Sequence, residues 1–159
     1  MTKPILDACC GARMFWFDKN HPSAVYMDNR ELETTLCDGR VLNIKPDLVA
    51  DFCNIPYPDE TFYLVIFDPP HLIRAGKDSW MAAKYGKLHP ENWQKTLGGG
   101  FTECMRVLKP FGTLVFKWNE DQIPLKAVLA AIGEKPLFGN RRAKTHWLIF
   151  MKEGDEDAS

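Results

Sequence analysis

The chain has 159 residues, 45% of them hydrophobic and 26% charged, with a formal net charge of -1. These are the proportions of a soluble globular domain, and no apolar run approaches the roughly 20 residues of a membrane span, so no membrane association is expected. Five cysteines, an odd number in no zinc-like spacing, exclude a closed disulfide framework and read as the reduced thiols of a cytoplasmic protein.

The start, Met1-Thr2-Lys3-Pro4, runs straight into strand-like sequence, with no signal-peptide pattern. Residues 1–152 are expected to form one domain, followed by a flexible acidic tail at 153–159. Residues 4–9 read as a first strand ending in small residues, and 11–20 have room for one short helix. Residues 24–28 form a second strand and 48–51 a third, each ending in an acid. Between them, at 29–47, Cys37-Asp38-Gly39-Arg40 looks like a turn between extended segments. Residues 62–67 are an apolar fourth strand. Trp93, Leu97, Phe101, Met105 and Leu108 keep helical spacing. Gly98-Gly99-Gly100 interrupts them at about 1 kcal/mol per glycine relative to alanine, which predicts firm helix over 101–108 and a hinge at the glycines. Residues 112–118 are a fifth strand. Pro124 suits a helix first turn, after which Leu125, Val128, Leu129 and Ile132 share one apolar face. Residues 146–152 are a last strand.

Alternating strands and helices predict an α/β fold with a mostly parallel sheet, whose ligands bind at the carboxyl ends of the strands. Asp7, Asp28, Asp51 and Asp68 end four successive strands and so form a row of acceptors along that edge. In the first turn, Asp7-Ala8-Cys9-Cys10-Gly11-Ala12, small residues let backbone amides approach a ligand, and Gly11 tolerates positive φ. Counted from Cys9, the dinucleotide fingerprint requires glycines at 9, 11 and 14, and only Gly11 is present. A nucleoside without a pyrophosphate is therefore the better ligand. Asp28, with Asn29 beside it, is placed to accept from ribose hydroxyls. Asp51 is placed to take an adenine amine while Phe52 or Ile55 covers the ring.

Asp68-Pro69-Pro70-His71 stops the chain at the end of the fourth strand. Prolines lack the amide hydrogen and fix φ, so a stiff turn presents one carboxylate and free carbonyls at the sheet edge, suited to gripping an NH2 group. After it, Arg74, Lys77, Lys84, Lys87 and Lys95 are interleaved with Trp80, Tyr85, His89 and Trp93. Cations among aromatics suit a phosphate backbone with stacked bases, which makes Arg74, Lys77, Trp80, Lys84 and Tyr85 the candidate substrate residues. Charge is divided to match: residues 1–70 carry six Lys/Arg against eleven Asp/Glu, residues 71–152 fourteen against six.

Taken together, these motifs resemble those of the class I S-adenosylmethionine-dependent methyltransferases. Asp7-x-x-x-Gly11 is similar to the family's first motif, Asp28 to its ribose-binding acid, and Asp51-Phe52 to its adenine-binding pair. Residues 56–65 resemble the approach to its fourth strand, and Glu103-x-x-Arg106-Val107-Leu108-Lys109-Pro110-Phe111-Gly112 its helix into strand five. The resemblance implies a Rossmann-like seven-stranded sheet, its last strand antiparallel, in a three-layer α/β/α sandwich, with Phe138 and 146–152 in the final hairpin. It implies S-adenosyl-L-methionine as cofactor, held by Asp7, Ala8, Cys9, Gly11, Asp28, Asn29, Asp51, Phe52, Ile55 and Asp68. An Asp-Pro-Pro-aromatic motif marks members that methylate planar amines such as nucleobase exocyclic nitrogens. Asp68, Pro69, Pro70 and His71 would then be catalytic: the acid and a proline carbonyl accept from the NH2, and His71 stands where an aromatic stacks on the base. The expected acceptor is a nucleobase of DNA or RNA. A smaller planar amine, and a non-catalytic cofactor-binding subunit, are the alternatives. The helices that precede the family's first strand have no counterpart, so closure of the site would involve another segment, a second copy or a partner subunit.

Overall fold

A computed structural model describes residues 2–74 and 86–154. In chain order the strands are β1 (Ile5–Asp7), β2 (Ala24–Asp28), β3 (Leu32–Thr35), β4 (Val41–Ile44), β5 (Leu48–Val49), β6 (Phe62–Phe67), β7 (Leu108–Asn119), β8 (Phe138–Arg142) and β9 (Thr145–Met151); α1 (Trp93–Arg106) precedes β7 and α2 (Leu125–Ile132) follows it. Seven strands form one sheet in the order β5-β2-β1-β6-β7-β9-β8, and β3 and β4 form a separate antiparallel pair. Strands β5, β2, β1, β6 and β7 are parallel, while β9 runs antiparallel to both its neighbours, β7 and β8. This is the seven-stranded, mostly parallel sheet with an antiparallel last strand that the family resemblance implies. No helix among the described residues is long and apolar enough to cross a membrane.

The pleat sends alternate side chains to opposite faces. On one face Leu6, Val25, Met27, Val65, Phe67, Leu114, Phe116 and Trp118 pack with Leu97, Phe101 and Cys104 of α1 and Val128 of α2 in a single buried cluster. Gly98-Gly99-Gly100 lies inside continuous helix, so the expected hinge is not there. At Gly100 a Cβ would stand 2.5 Å from the Phe52 ring and 2.8 Å from Phe67 Cζ. Close approach of two aromatic rings, and not bending, is what the glycine serves.

The opposite face differs from the sandwich implied by the resemblance. Residues 11–20 form turns without a helix, and 29–47 is the β3–β4 hairpin. Trp16 and Cys10 cover Ala24, Tyr26 and Ile5, and a small cluster of Leu36, Leu42 and Ile44 with Ala12 closes the hairpin. Arg13 ties this chain together. Its guanidinium lies 3.8 Å from the Tyr26 ring centroid and donates to the carbonyls of Lys19 (2.6 Å) and Lys45 (2.7 Å). Among the described residues, both helices therefore belong to one face.

Candidate functional site

Sheet pairing builds the site. The Ala8 amide donates to the Ile66 carbonyl (2.9 Å) and the Cys10 amide to that of Met27 (2.8 Å), so the turn after β1 is pinned between β6 and β2. Gly11 follows at φ 51°, the left-handed region that favours glycine. Its amide donates to Asp28 Oδ2 (2.9 Å), while Asp28 Oδ1 accepts from the Arg30 amide (3.0 Å) and lies 3.5 Å from Arg30 Nε. A carboxylate has about four lone-pair positions, so Asp28 orders the turn and keeps acceptor capacity for a hydroxyl.

Around this turn opens a cleft of about 230 Å³, into which Ala8, Cys9, Gly11, Asp28, Asn29, Phe52, Asp68 and Pro70 all project. These eight are sequence-predicted residues that the fold brings together. Phe52 packs edge-on against Phe67 at 5.1 Å between centroids. Asp68, at 11% side-chain exposure, forms an ion pair with Lys117 of β7, Nζ to Oδ2 3.6 Å. Burial lifts the Asp68 carboxyl from its ordinary range to about 6, with the Lys117 ammonium opposing the rise.

Other expected residues lie elsewhere. Asp7 is fully buried beneath the cleft and not in its lining. Its Oδ2 accepts from Trp16 Nε1 (2.7 Å), and its Oδ1 has no hydrogen-bond partner among the described residues. Burial above all pushes its carboxyl up to about 7. Asp51 is exposed and caps its own loop, accepting from the Cys53 amide at 2.8 Å. Ile55 is core. Its amide donates to Glu103 Oε1 (3.0 Å) and its carbonyl accepts from Arg106 Nη2 (2.9 Å). Pro69 is buried, leaving Pro70 as the proline in the cleft.

His71 is not a stacking platform. It is 5% exposed, its ring meets Trp118 edge-on at 6.2 Å, and burial lowers its pKa. With Arg74 it lines a separate recess of about 290 Å³ beside Asn119, Asp121, Gln122 and Lys144. There the Gln122 side chain accepts from the Ile73 and Arg74 amides (2.8 Å each) and donates to the Arg74 carbonyl (2.7 Å). The chain leaving the Asp-Pro-Pro corner is thereby clamped to the β7–α2 connection. Lys77, Trp80, Lys84 and Tyr85 lie outside the described residues.

Cys10, Ala12, Met14, Phe15, Arg30, Gly86, Lys87 and Lys117 also line the cleft and were not among the candidates. Lys117 has a sequence signal: it is the one cation in the apolar run Leu114-Val115-Phe116-Lys117-Trp118, and Phe67 pairs with Phe116, so Asp68 and Lys117 leave neighbouring strands side by side. Met14 and Phe15 arrive on irregular chain, which no periodicity announces.

No protein-family model matches the sequence, and no curated protein matches it. Solved structures do. The N-methyltransferase NodS from Bradyrhizobium japonicum WM9 is 13% identical, over 95% of this chain and 86% of that one, with a TM-score of 0.56. A SAM-dependent methyltransferase from Methanosarcina mazei is 10% identical over 98% and 95%, TM-score 0.55. The [4+2]-cyclase SpnF is 11% identical over 95% and 74%, TM-score 0.58. One architecture thus carries more than one named chemistry, and activity has to be argued from the site. The seven-stranded sheet, with its single antiparallel strand beside β7, has the fold shared by S-adenosylmethionine-dependent methyltransferases.

Proposed function

We propose that this chain is an S-adenosyl-L-methionine-dependent N-methyltransferase acting on a planar amine, with the exocyclic amine of a nucleobase in DNA or RNA as acceptor. One observation carries the reading: Asp68 and Pro70 line the same cleft as the Gly11 turn, Asp28 and Phe52. The donor set fits a nucleoside cofactor. Asp28 and Asn29 are suited to the ribose and Phe52 to a face of the adenine. The small wall of Ala8, Cys9 and Gly11 leaves room for the methionine part. When bound, the cofactor supplies an activated methyl group on a cationic sulfur.

The chain's own part is placement. Asp68 and the Pro70 carbonyl accept N–H bonds from the acceptor and so fix the direction of its nitrogen lone pair. Asp68 also stabilises positive charge developing on that nitrogen and takes the surplus proton afterwards. Because burial raises its pKa to about 6, it is ionised near neutral pH and still basic enough for that task. Pro69 and Pro70 hold the corner without conformational freedom.

A second reading, a free small planar amine as acceptor, is favoured by the burial of His71, which removes the stacking platform a flipped base would use. Calorimetry with S-adenosylhomocysteine and incubation with radiolabelled cofactor against DNA, RNA and small aromatic amines test both. Asp68→Ala is expected to abolish label transfer while product affinity stays within about threefold. Absence of any S-adenosylhomocysteine binding by the intact chain would overturn the assignment.

A further inference from the structure

The charges lining the cleft are paired in a way that bears on the acceptor. Lys117 stands 3.6 Å from Asp68, and its ammonium lies 5.5 Å from the centroids of both Phe15 and Trp147. Toward the Gly11 turn, Asp28 is paired with Arg30 at 3.5 Å. Lys87 adds a third lining cation. Asp7, the other carboxyl near Asp68, is sealed below the lining on Trp16. Among the described residues, three cations thus face two carboxylates in the lining, and each carboxylate has a counter-ion.

An alkylamine is protonated near neutral pH, having a pKa close to that of lysine, about 10.4. Its ammonium has no lone pair to attack with, and in this cleft it would enter beside the Lys117 ammonium with no uncompensated carboxylate among the described lining residues to receive it. An arylamine or nucleobase amine is uncharged at the same pH and brings two N–H donors with no added charge. Such a group can bond to Asp68 without displacing Lys117.

We propose that Lys117 is a specificity determinant that restricts the acceptor to amines uncharged at neutral pH and rejects alkylammonium groups. The inference rests on the methyl-transfer reading of the cleft. Methylation replaces one N–H of the acceptor by N–CH3: the nitrogen lone pair forms the new bond, the sulfur keeps the electrons of the broken one and becomes a neutral thioether, and the proton passes to Asp68 and then to solvent. With a neutral acceptor the reacting atoms carry one positive charge, on sulfur and then on nitrogen, until the proton leaves.

The test is calorimetric and needs no knowledge of the acceptor. With S-adenosylhomocysteine saturating the chain, the probes are aniline, which is uncharged at neutral pH, and benzylamine, which is protonated there. The intact chain is expected to bind aniline about tenfold or more tightly than benzylamine. In Lys117→Met that ratio should fall to about one or invert, because Asp68 is left without its counter-ion, and Lys117→Arg should retain it. Lys117→Gln offers the same neutral replacement if the methionine variant does not fold. A ratio unchanged on neutralising Lys117, or a wild-type preference for benzylamine, overturns the inference alone. Failure of the intact chain to bind S-adenosylhomocysteine overturns the methyl-transfer reading and this inference with it.

Discussion

Gly100→Ala tests how α1 shapes the cleft. The alanine Cβ would stand 2.5 and 2.8 Å from two atoms of the Phe52 ring and 2.8 Å from Phe67 Cζ. Overpacking of this kind costs about 1–3 kcal/mol. Alanine in a helix interior returns about 1 kcal/mol relative to glycine, so the net loss is about 0–2 kcal/mol. Gly99→Ala is the control. Its Cβ would meet nothing nearer than Cys53 Sγ at 3.5 Å, an ordinary contact, and it should gain the helical term of about 1 kcal/mol intact. Urea denaturation of the two variants is expected to separate their stabilities by about 1–3 kcal/mol at an unchanged m-value. Since Phe52 lines the cleft, Gly100→Ala should also weaken S-adenosylhomocysteine binding while Gly99→Ala does not. Equal stability and equal affinity in the two variants would refute the argument that Gly100 exists to seat the Phe52–Phe67 pair.

Gln122→Leu removes three hydrogen bonds to the backbone at 73–74; two of them are solvent-exposed, so a loss of about 1–2 kcal/mol in thermal or urea melts is expected, together with a lower transfer rate at unchanged product affinity. Arg106 donates to the Ile55 and Tyr57 carbonyls, to Asp59 and to Glu103; Arg106→Lys cannot reproduce that fork and should cost about 2–3 kcal/mol in the same melts. For Asp7 the sign follows from its raised carboxyl, about 7 in the folded chain against an ordinary 3.8. The folded state binds the proton more tightly, so Asp7 disfavours folding increasingly as pH rises from about 4 to 7, by about 4 kcal/mol at the top of that window. Asp7→Asn should therefore be near neutral in urea melts at pH 4 and stabilising at pH 8; a gap independent of pH would sink that account.

The sheet was legible because its strands are short apolar runs closed by turn residues. Strands β2 and β6 have the expected bounds, and the final hairpin is where Phe138 and 146–152 place it. The glycine triplet was misread because local propensity records the cost of a glycine and not the ring that needs the space. The short helix for which 11–20 has room does not form, for a tertiary reason: Arg13 binds the Lys19 and Lys45 carbonyls and the Tyr26 ring, contacts no local pattern encodes. The acid row was half informative. Asp28 and Asp68 do line the cleft, but an aspartate at a strand end serves equally well as a buried anchor for Trp16, like Asp7, or as a turn cap, like Asp51. His71 lies behind the cleft because the stiff proline corner turns the chain toward Trp118 before the imidazole is reached.

The two walls of the sheet have unequal stiffness. One is helix on sheet, closed by a large buried cluster; the other is turns and a hairpin held by two small clusters and the Arg13 guanidinium, and it brings Met14 and Phe15 to the cleft lining. Local opening is drawn from segments with few buried contacts. Amide exchange should therefore be fast across the turn-rich side and slow in α1, and any tightening caused by a bound nucleoside will register almost wholly on the side of the turns and the hairpin.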